Sequence, residues 1–206
     1  MRCRHLLLAA FVILPLYASA QDRMPPIPAA KMTEAQKKAV EEFRTARNAE
    51  LTGPFHPLLR SPEVMTRARA MGDHLRYKST LPPRLSEFVI LITSRNWSQG
   101  YEWAVHYPVA MTAGVSPEVA KAIAEGRRPE RMIEDEEILY AFCMELHQHQ
   151  SVSDATYARV VARFGEQGVV DTVGIVGYYT MLAMTLNVAR TPVPANGAPA
   201  LTPFPR

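Results

Sequence analysis

Glu87-Phe88-Val89-Ile90-Leu91-Ile92-Thr93-Ser94-Arg95-Asn96-Trp97-Ser98-Gln99-Gly100-Tyr101-Glu102-Trp103-Ala104-Val105-His106 is the stretch on which the fold class turns. The apolar run Phe88 to Ile92 has the composition of a buried strand, and as a strand it would place the chain among mixed α/β proteins. Length argues otherwise. The pattern continues from Arg84 to about Asn96 with no glycine or turn dipeptide, beyond the roughly four to eight residues usual for strands, so it predicts a helix buried on most sides. A second helix is expected from about Gln99 to Ala113, stopped by Gly114 and kinked by Pro108. On that helix Glu102 and His106 are four apart, which puts them on one face with β-carbons about 6 Å apart.

The same punctuation recurs on either side. Thr33-Glu34-Ala35-Gln36 has the capping-box pattern and opens a helix over 34–50. Ser61-Pro62 offers a hydroxyl cap and a proline at the first helical position, for a helix to about Arg76, and Ser116-Pro117-Glu118 repeats the signature for a short one ending near Gly126. Glu134 to His149 carries acids in its first turn and histidines in its last, as a helix dipole favours. Ser153 caps a helix to Phe164, stopped by Gly165, and a last helix over 167–188 is apolar on nearly every face, the pattern of a helix buried or packed on another subunit. No segment alternates as a strand should. The expectation is an all-α single domain of about eight helices over 33–190.

Both ends read differently. Residues 1–20 combine Arg2 and Arg4 with the apolar run Leu6 to Leu14 and Ala18-Ser19-Ala20, the pattern of a cleavable secretory signal peptide, so the chain is expected to be periplasmic or secreted, without a membrane span. Residues 21–32 and 191–206 are proline-rich tails. Cleavage would remove two of the 23 basic residues and Cys3, leaving 21 against 20 acidic residues and one thiol, Cys143. Such balance lacks the clustered basic face that nucleic acid requires, and a lone thiol forms no internal disulfide.

The spacing Glu87, eleven residues, Gln99, two residues, Glu102, three residues, His106 resembles the active-site frame of the carboxymuconolactone decarboxylase superfamily, which includes the alkylhydroperoxidase D type enzymes. In the peroxidase branch that frame is Glu, eleven residues, Cys-x-x-Cys, three residues, His; here Gln99 and Glu102 stand at the two cysteine positions. Glu102-Trp103-Ala104-Val105-His106 is similar to the Glu-x-x-x-His of the decarboxylase branch. The resemblance covers roughly 80–124, and Gly177-Tyr178-Tyr179-Thr180 with Asn187 is similar to the family's C-terminal helix. It implies an alkylhydroperoxidase D-like helical bundle, a homo-oligomer, a small-molecule substrate and no cofactor.

With the thiol pair gone, what remains competent is proton transfer. Glu87, Glu102 and His106 are the candidate catalytic residues: His106 as general acid or base, Glu102 holding its tautomer, Glu87 relaying protons. Gln99, Arg95, Trp103 and Tyr107 are candidate substrate-binding residues, Arg95 for a carboxylate. The expected chemistry is decarboxylation or isomerisation of a small carboxylated lactone or organic acid. Two rivals stand beside it, a peroxiredoxin-like activity and a non-catalytic ligand-binding protein. The plainer structural readings are a solvated Glu102/His106 pair, a structural Arg95 and aromatic residues serving only the core. His147 and His149, two apart on a helix, diverge too far to grip one metal ion unless the helix has already ended, Glu87, Glu102 and His106 are the better-placed set should a metal bind, and no phosphate loop, nucleophile elbow or His-Glu-x-x-His is present.

Overall fold

The computed structural model describes residues 21–201, so the expected signal peptide lies outside the described residues. Within them the chain forms α1 (Glu34–Arg47), α2 (Phe55–Leu58), α3 (Pro62–Tyr77), α4 (Pro83–Asn96), α5 (Gly100–Thr112), α6 (Pro117–Ala124), α7 (Glu134–His149) and α8 (Asp154–Ala189), after a 3-10 turn at Ala29–Lys31. No strand occurs among the described residues.

Helix α4 is the axis. Every residue from Leu85 to Arg95 is buried, and the helix packs against α3, α5, α6, α7 and α8. Its polar residues survive burial by bonding within the helix: Thr93 Oγ1 donates to Val89 O at 3.0 Å and Ser94 Oγ to Ile90 O at 2.8 Å. The expected caps are in place, with a reciprocal Thr33/Gln36 capping box on α1 and the hydroxyls of Ser116 and Ser153 accepting from Val119 N and Thr156 N. The Ser61 hydroxyl, by contrast, makes no capping bond to the first turn of α3.

One feature departs from the sequence-based expectation. Helix α2 is four residues long with Pro57 inside it, too short for any periodicity to register. The two helices expected after Ser153 abut within α8, and Gly165 stops the first of them as expected, its φ of 71° and ψ of 176° being non-helical; a positive φ suits glycine and marks the break. The described residues thus form an all-helical fold with about the expected number of helices.

The C-terminal tail is non-helical, as its prolines require. Pro108 has no N–H, so the carbonyl of Ala104, one turn back in α5, loses its helical donor. Asn196 supplies the missing bond, Nδ2 donating to Ala104 O at 2.7 Å, and the Trp103 indole donates to Pro199 O at 3.1 Å. Residues 191–201 thus form a strap docked on α5 at its proline.

Candidate active site

The turn joining α4 to α5 is held to α8. Ser98 takes a left-handed conformation at φ 46°, and Gln99 caps α5, its Oε1 accepting from Tyr101 N at 2.6 Å. Gln99 Nε2 donates to Asn187 Oδ1 at 2.8 Å, Asn187 Nδ2 to Trp97 O at 3.3 Å, and Trp97 Nε1 to Thr180 Oγ1 at 3.1 Å. These bonds fix α5 against α4 and α8, and so fix what α5 presents.

What it presents is His106, placed between two carboxylates. Nδ1 is 2.7 Å from Glu87 Oε2, a hydrogen bond between adjacent helices, whereas Nε2 is 3.6 Å from Glu102 Oε2, beyond bonding range. The sequence reading gave Glu102 the task of holding the imidazole; the geometry gives that task to Glu87. All three residues are at most 5% exposed. Edge contact with the Tyr179 ring, centroids 5.0 Å apart, fixes the imidazole plane.

Glu102 is left poorly satisfied. Its Oε1 is buried without a hydrogen-bond partner. Burial raises its carboxyl from the ordinary 4.5 to about 7, opposed by His106 and Arg76 and assisted by Glu87. A carboxyl at that value donates or accepts a proton near neutrality.

Glu102 and His106 line a cleft of about 100 Å³ with Arg47, Arg76, Tyr101 and Tyr178. Arg47 comes from α1, Arg76 from α3 and Tyr178 from α8. Gly72 on α3 makes room for the Tyr178 ring: a β-carbon there would lie 2.3 Å from the phenol oxygen. Desolvation pushes the Tyr178 phenol up to about 12, so it stays a donor at neutral pH. Tyr101 rests on Gly53, whose φ is +52°.

Glu87, Glu102 and His106 are thus brought together, and the other four expected site residues are not. Arg95 lines a separate pocket of about 40 Å³ with Ile92, Tyr140 and Met144. Gln99 is spent on the cap, and Trp103 lies beneath the tail with Tyr107 stacked near it, ring centroids 5.8 Å apart. On a helix, 103 and 107 share a face turned roughly 100° from that of 102 and 106, which is why motif proximity misplaced them. Arg47 and Arg76 went unnoticed because they reach the cleft from remote helices and no local signal marks them, whereas Tyr178 belongs to the stretch 177–180 already similar to the family's C-terminal helix but was given no place in the site.

Among the described residues no group of three or more His, Cys, Asp or Glu has the arrangement of a metal site. Cys143 is fully buried on α7, and burial pushes its thiol up to about 12, far from a reactive thiolate.

Residues 62–131 match the model of the Carboxymuconolactone decarboxylase family. Among solved structures the fold is similar to the alkylhydroperoxidase AhpD core of an uncharacterized peroxidase-related protein from Ralstonia eutropha JMP134, at 16% identity and TM-score 0.68 over 84% of this chain and 92% of that one. An uncharacterized peroxidase-related protein from Silicibacter sp. TM1040 matches at 12% and 0.70 over 91% and 100%. The debrominase Bmp8, as a variant in complex with 2,3,4-tribromopyrrole, matches at 12% and 0.64 over 86% and 95%. Identities this low establish a common fold and carry no reaction across. No curated protein matches in sequence.

Proposed function

We propose that the chain, whose residues 62–131 match the carboxymuconolactone decarboxylase family and whose helical fold is of the alkylhydroperoxidase D type, is an exported enzyme of that family performing cofactor-free acid/base chemistry on a small carboxylated lactone or organic acid. One observation carries this reading: a buried carboxyl with an unbonded oxygen, Glu102, sits in a cleft beside an imidazole whose far nitrogen is already held by Glu87.

In an isomerisation, neutral His106 takes a proton at Nε2 from a carbon next to the substrate carbonyl while Glu102 gives its proton to the carbonyl oxygen. The enol collapses as His106 returns its proton to the far end of the conjugated system and Glu102 recovers its own. In a decarboxylation the carbon–carboxylate bond breaks instead, its electron pair moves into the carbonyl that Glu102 protonates, and a proton then adds to carbon. Glu87 accepts the Nδ1 hydrogen bond throughout and stabilises the imidazolium. The substrate's own carbonyl takes up the electrons, so no electron-accepting cofactor enters.

A thiol peroxidase reading has less support, since Gln99 and Glu102 stand at the thiol positions and Cys143 is buried and protonated. A panel of unsaturated γ-lactone acids and 3-oxo acids, incubated in D₂O and followed by proton NMR and carbon dioxide release, tests the proposal. Exchange or turnover of a panel member should fall about 10²- to 10⁴-fold in His106→Gln. Turnover indifferent to His106→Gln would contradict it, and saturable binding with no turnover would favour a binding protein. Export is checked by Edman sequencing of secreted protein, expected to begin at Gln21.

A further inference from the structure

Two arginines line the cleft, and neither belongs to the stretch from Glu87 to His106. Arg76 stands in the last turn of α3. The loop that follows is fastened to α8, Thr80 donating through N and Oγ1 to Asp171 Oδ2 at 2.7 and 2.9 Å, so the end of α3 is held firmly where it meets the cleft. The guanidinium approaches Glu87 Oε1 only to 4.0 Å, and Nε is buried with no hydrogen-bond partner. Glu87 is already bonded through its other oxygen to His106. Arg76 is therefore a charged fork with donors to spare.

The charge balance points the same way. Arg47 Nε bonds Asp73 Oδ1 at 2.8 Å and Arg69 Nη1 bonds Asp73 Oδ2 at 2.7 Å, so one carboxylate serves two guanidinium groups and a positive charge is left over. Glu102, raised to about 7, does not reliably cancel it. Phe55, Leu182 and Tyr179 supply apolar walls, which strengthen any charge pairing made inside. The cleft thus combines surplus cation at one set of residues with an unbonded carboxyl oxygen, Glu102 Oε1, at another.

We propose that Arg76, with Arg47 as a second cation, selects the substrate by a single carboxylate and leaves the substrate's neutral carbonyl oxygen for Glu102. Only the orientation of the carbonyl rests on the acid/base reading; the carboxylate preference stands by itself. Arg95, the arginine to which the sequence pattern gave this task, lies in another pocket.

The full chain is titrated calorimetrically with 5-oxotetrahydrofuran-2-carboxylate, a saturated lactone acid that cannot turn over, and with uncharged γ-butyrolactone. Wild type should bind the acid at least tenfold more tightly than the neutral lactone. Arg76→Gln should abolish that preference while leaving γ-butyrolactone affinity unchanged, which a cleft that had merely collapsed would not do. Arg76→Lys should recover part of it, a point charge replacing a fork, and Arg47→Gln should reduce it less. Equal binding of the acid to wild type and Arg76→Gln, or no preference in wild type, overturns the proposal; should Arg76→Gln not fold, an undiminished preference in Arg76→Lys together with Arg47→Gln does so. An Arg76-dependent preference without turnover by any panel member would sink the acid/base reading and leave the anion site standing. Turnover without the preference would do the reverse.

Discussion

Glu102 is held in a form that folding would otherwise avoid. Its carboxyl rises from 4.5 to about 7 on burial, so the folded protein keeps the proton at pH values where the unfolded chain has released it. Below about 4.5 both states are protonated and this group's stabilising contribution is complete; as pH rises through about 7 the contribution is lost. At about 1.4 kcal/mol per pKa unit, the loss is on the order of 3 kcal/mol. Urea denaturation at pH 5 and pH 8 should show wild type losing stability across that window, and Glu102→Gln losing correspondingly less, so that the variant is the more stable protein at pH 8. Equal pH dependence in both would show that Glu102 titrates normally. Glu87, Glu102 and His106 were legible in the sequence because helical register and the family's spacing are properties of one contiguous stretch. Which carboxylate grips the imidazole was not, since that depends on how α4 and α5 lie against each other. Arg76 was invisible for a similar reason, being brought in by packing of α3, and the place of Tyr178 in the cleft likewise depends on how α8 packs.

Among the elements, α4 was readable as a helix from length alone, because an apolar run of that extent outgrows a strand. The tail was legible as non-helical, because its prolines forbid helix, but its docking was not, because prolines do not say what an extended segment packs on. Its anchor is the vacancy that Pro108 creates: Asn196→Ala strands the carbonyl of Ala104 and should reduce stability by about 1–3 kcal/mol. In a Pro108→Ala background the restored N–H can bond Ala104 O within the helix, so the loss from Asn196→Ala should shrink by half or more. Thermal denaturation of the two single variants and the double variant measures this coupling; strictly additive losses would mean the strap does not serve that carbonyl. Gly72→Ala is a second check on element packing. The new methyl would overlap the Tyr178 hydroxyl, and displacing that ring should reduce stability by about 1–3 kcal/mol and weaken ligand binding in the cleft; unchanged stability would mean α3 and α8 have room to spare.

For the whole molecule, α8 has two unlike faces. Ile175, Tyr178, Tyr179 and Leu182 are buried, while Val170, Val173, Met184 and Val188 are exposed and fall within about 60° of arc at 100° per residue. By length and composition α8 could cross a membrane, and half of its most apolar stretch is buried inside the fold. The exposed row is the surface that the expected homo-oligomer would cover. Sedimentation of a Val173→Glu, Val188→Glu variant should then show a smaller species than wild type, and an unchanged monomer in both would remove this role. The cleft, too, belongs to the whole molecule, since α1, α3, α5 and α8 each contribute a residue and none of its electrostatics exists in the unfolded chain. Carbon-13 NMR titration of the Glu102 side-chain carboxyl, in folded protein and in urea, reads that directly. The expected midpoint is about 7 when folded, rising further in His106→Gln as the imidazole's lowering influence disappears, and about 4.3 when unfolded. A folded midpoint in the ordinary carboxylate range, unmoved by His106→Gln, would leave no proton-transfer unit in this cleft.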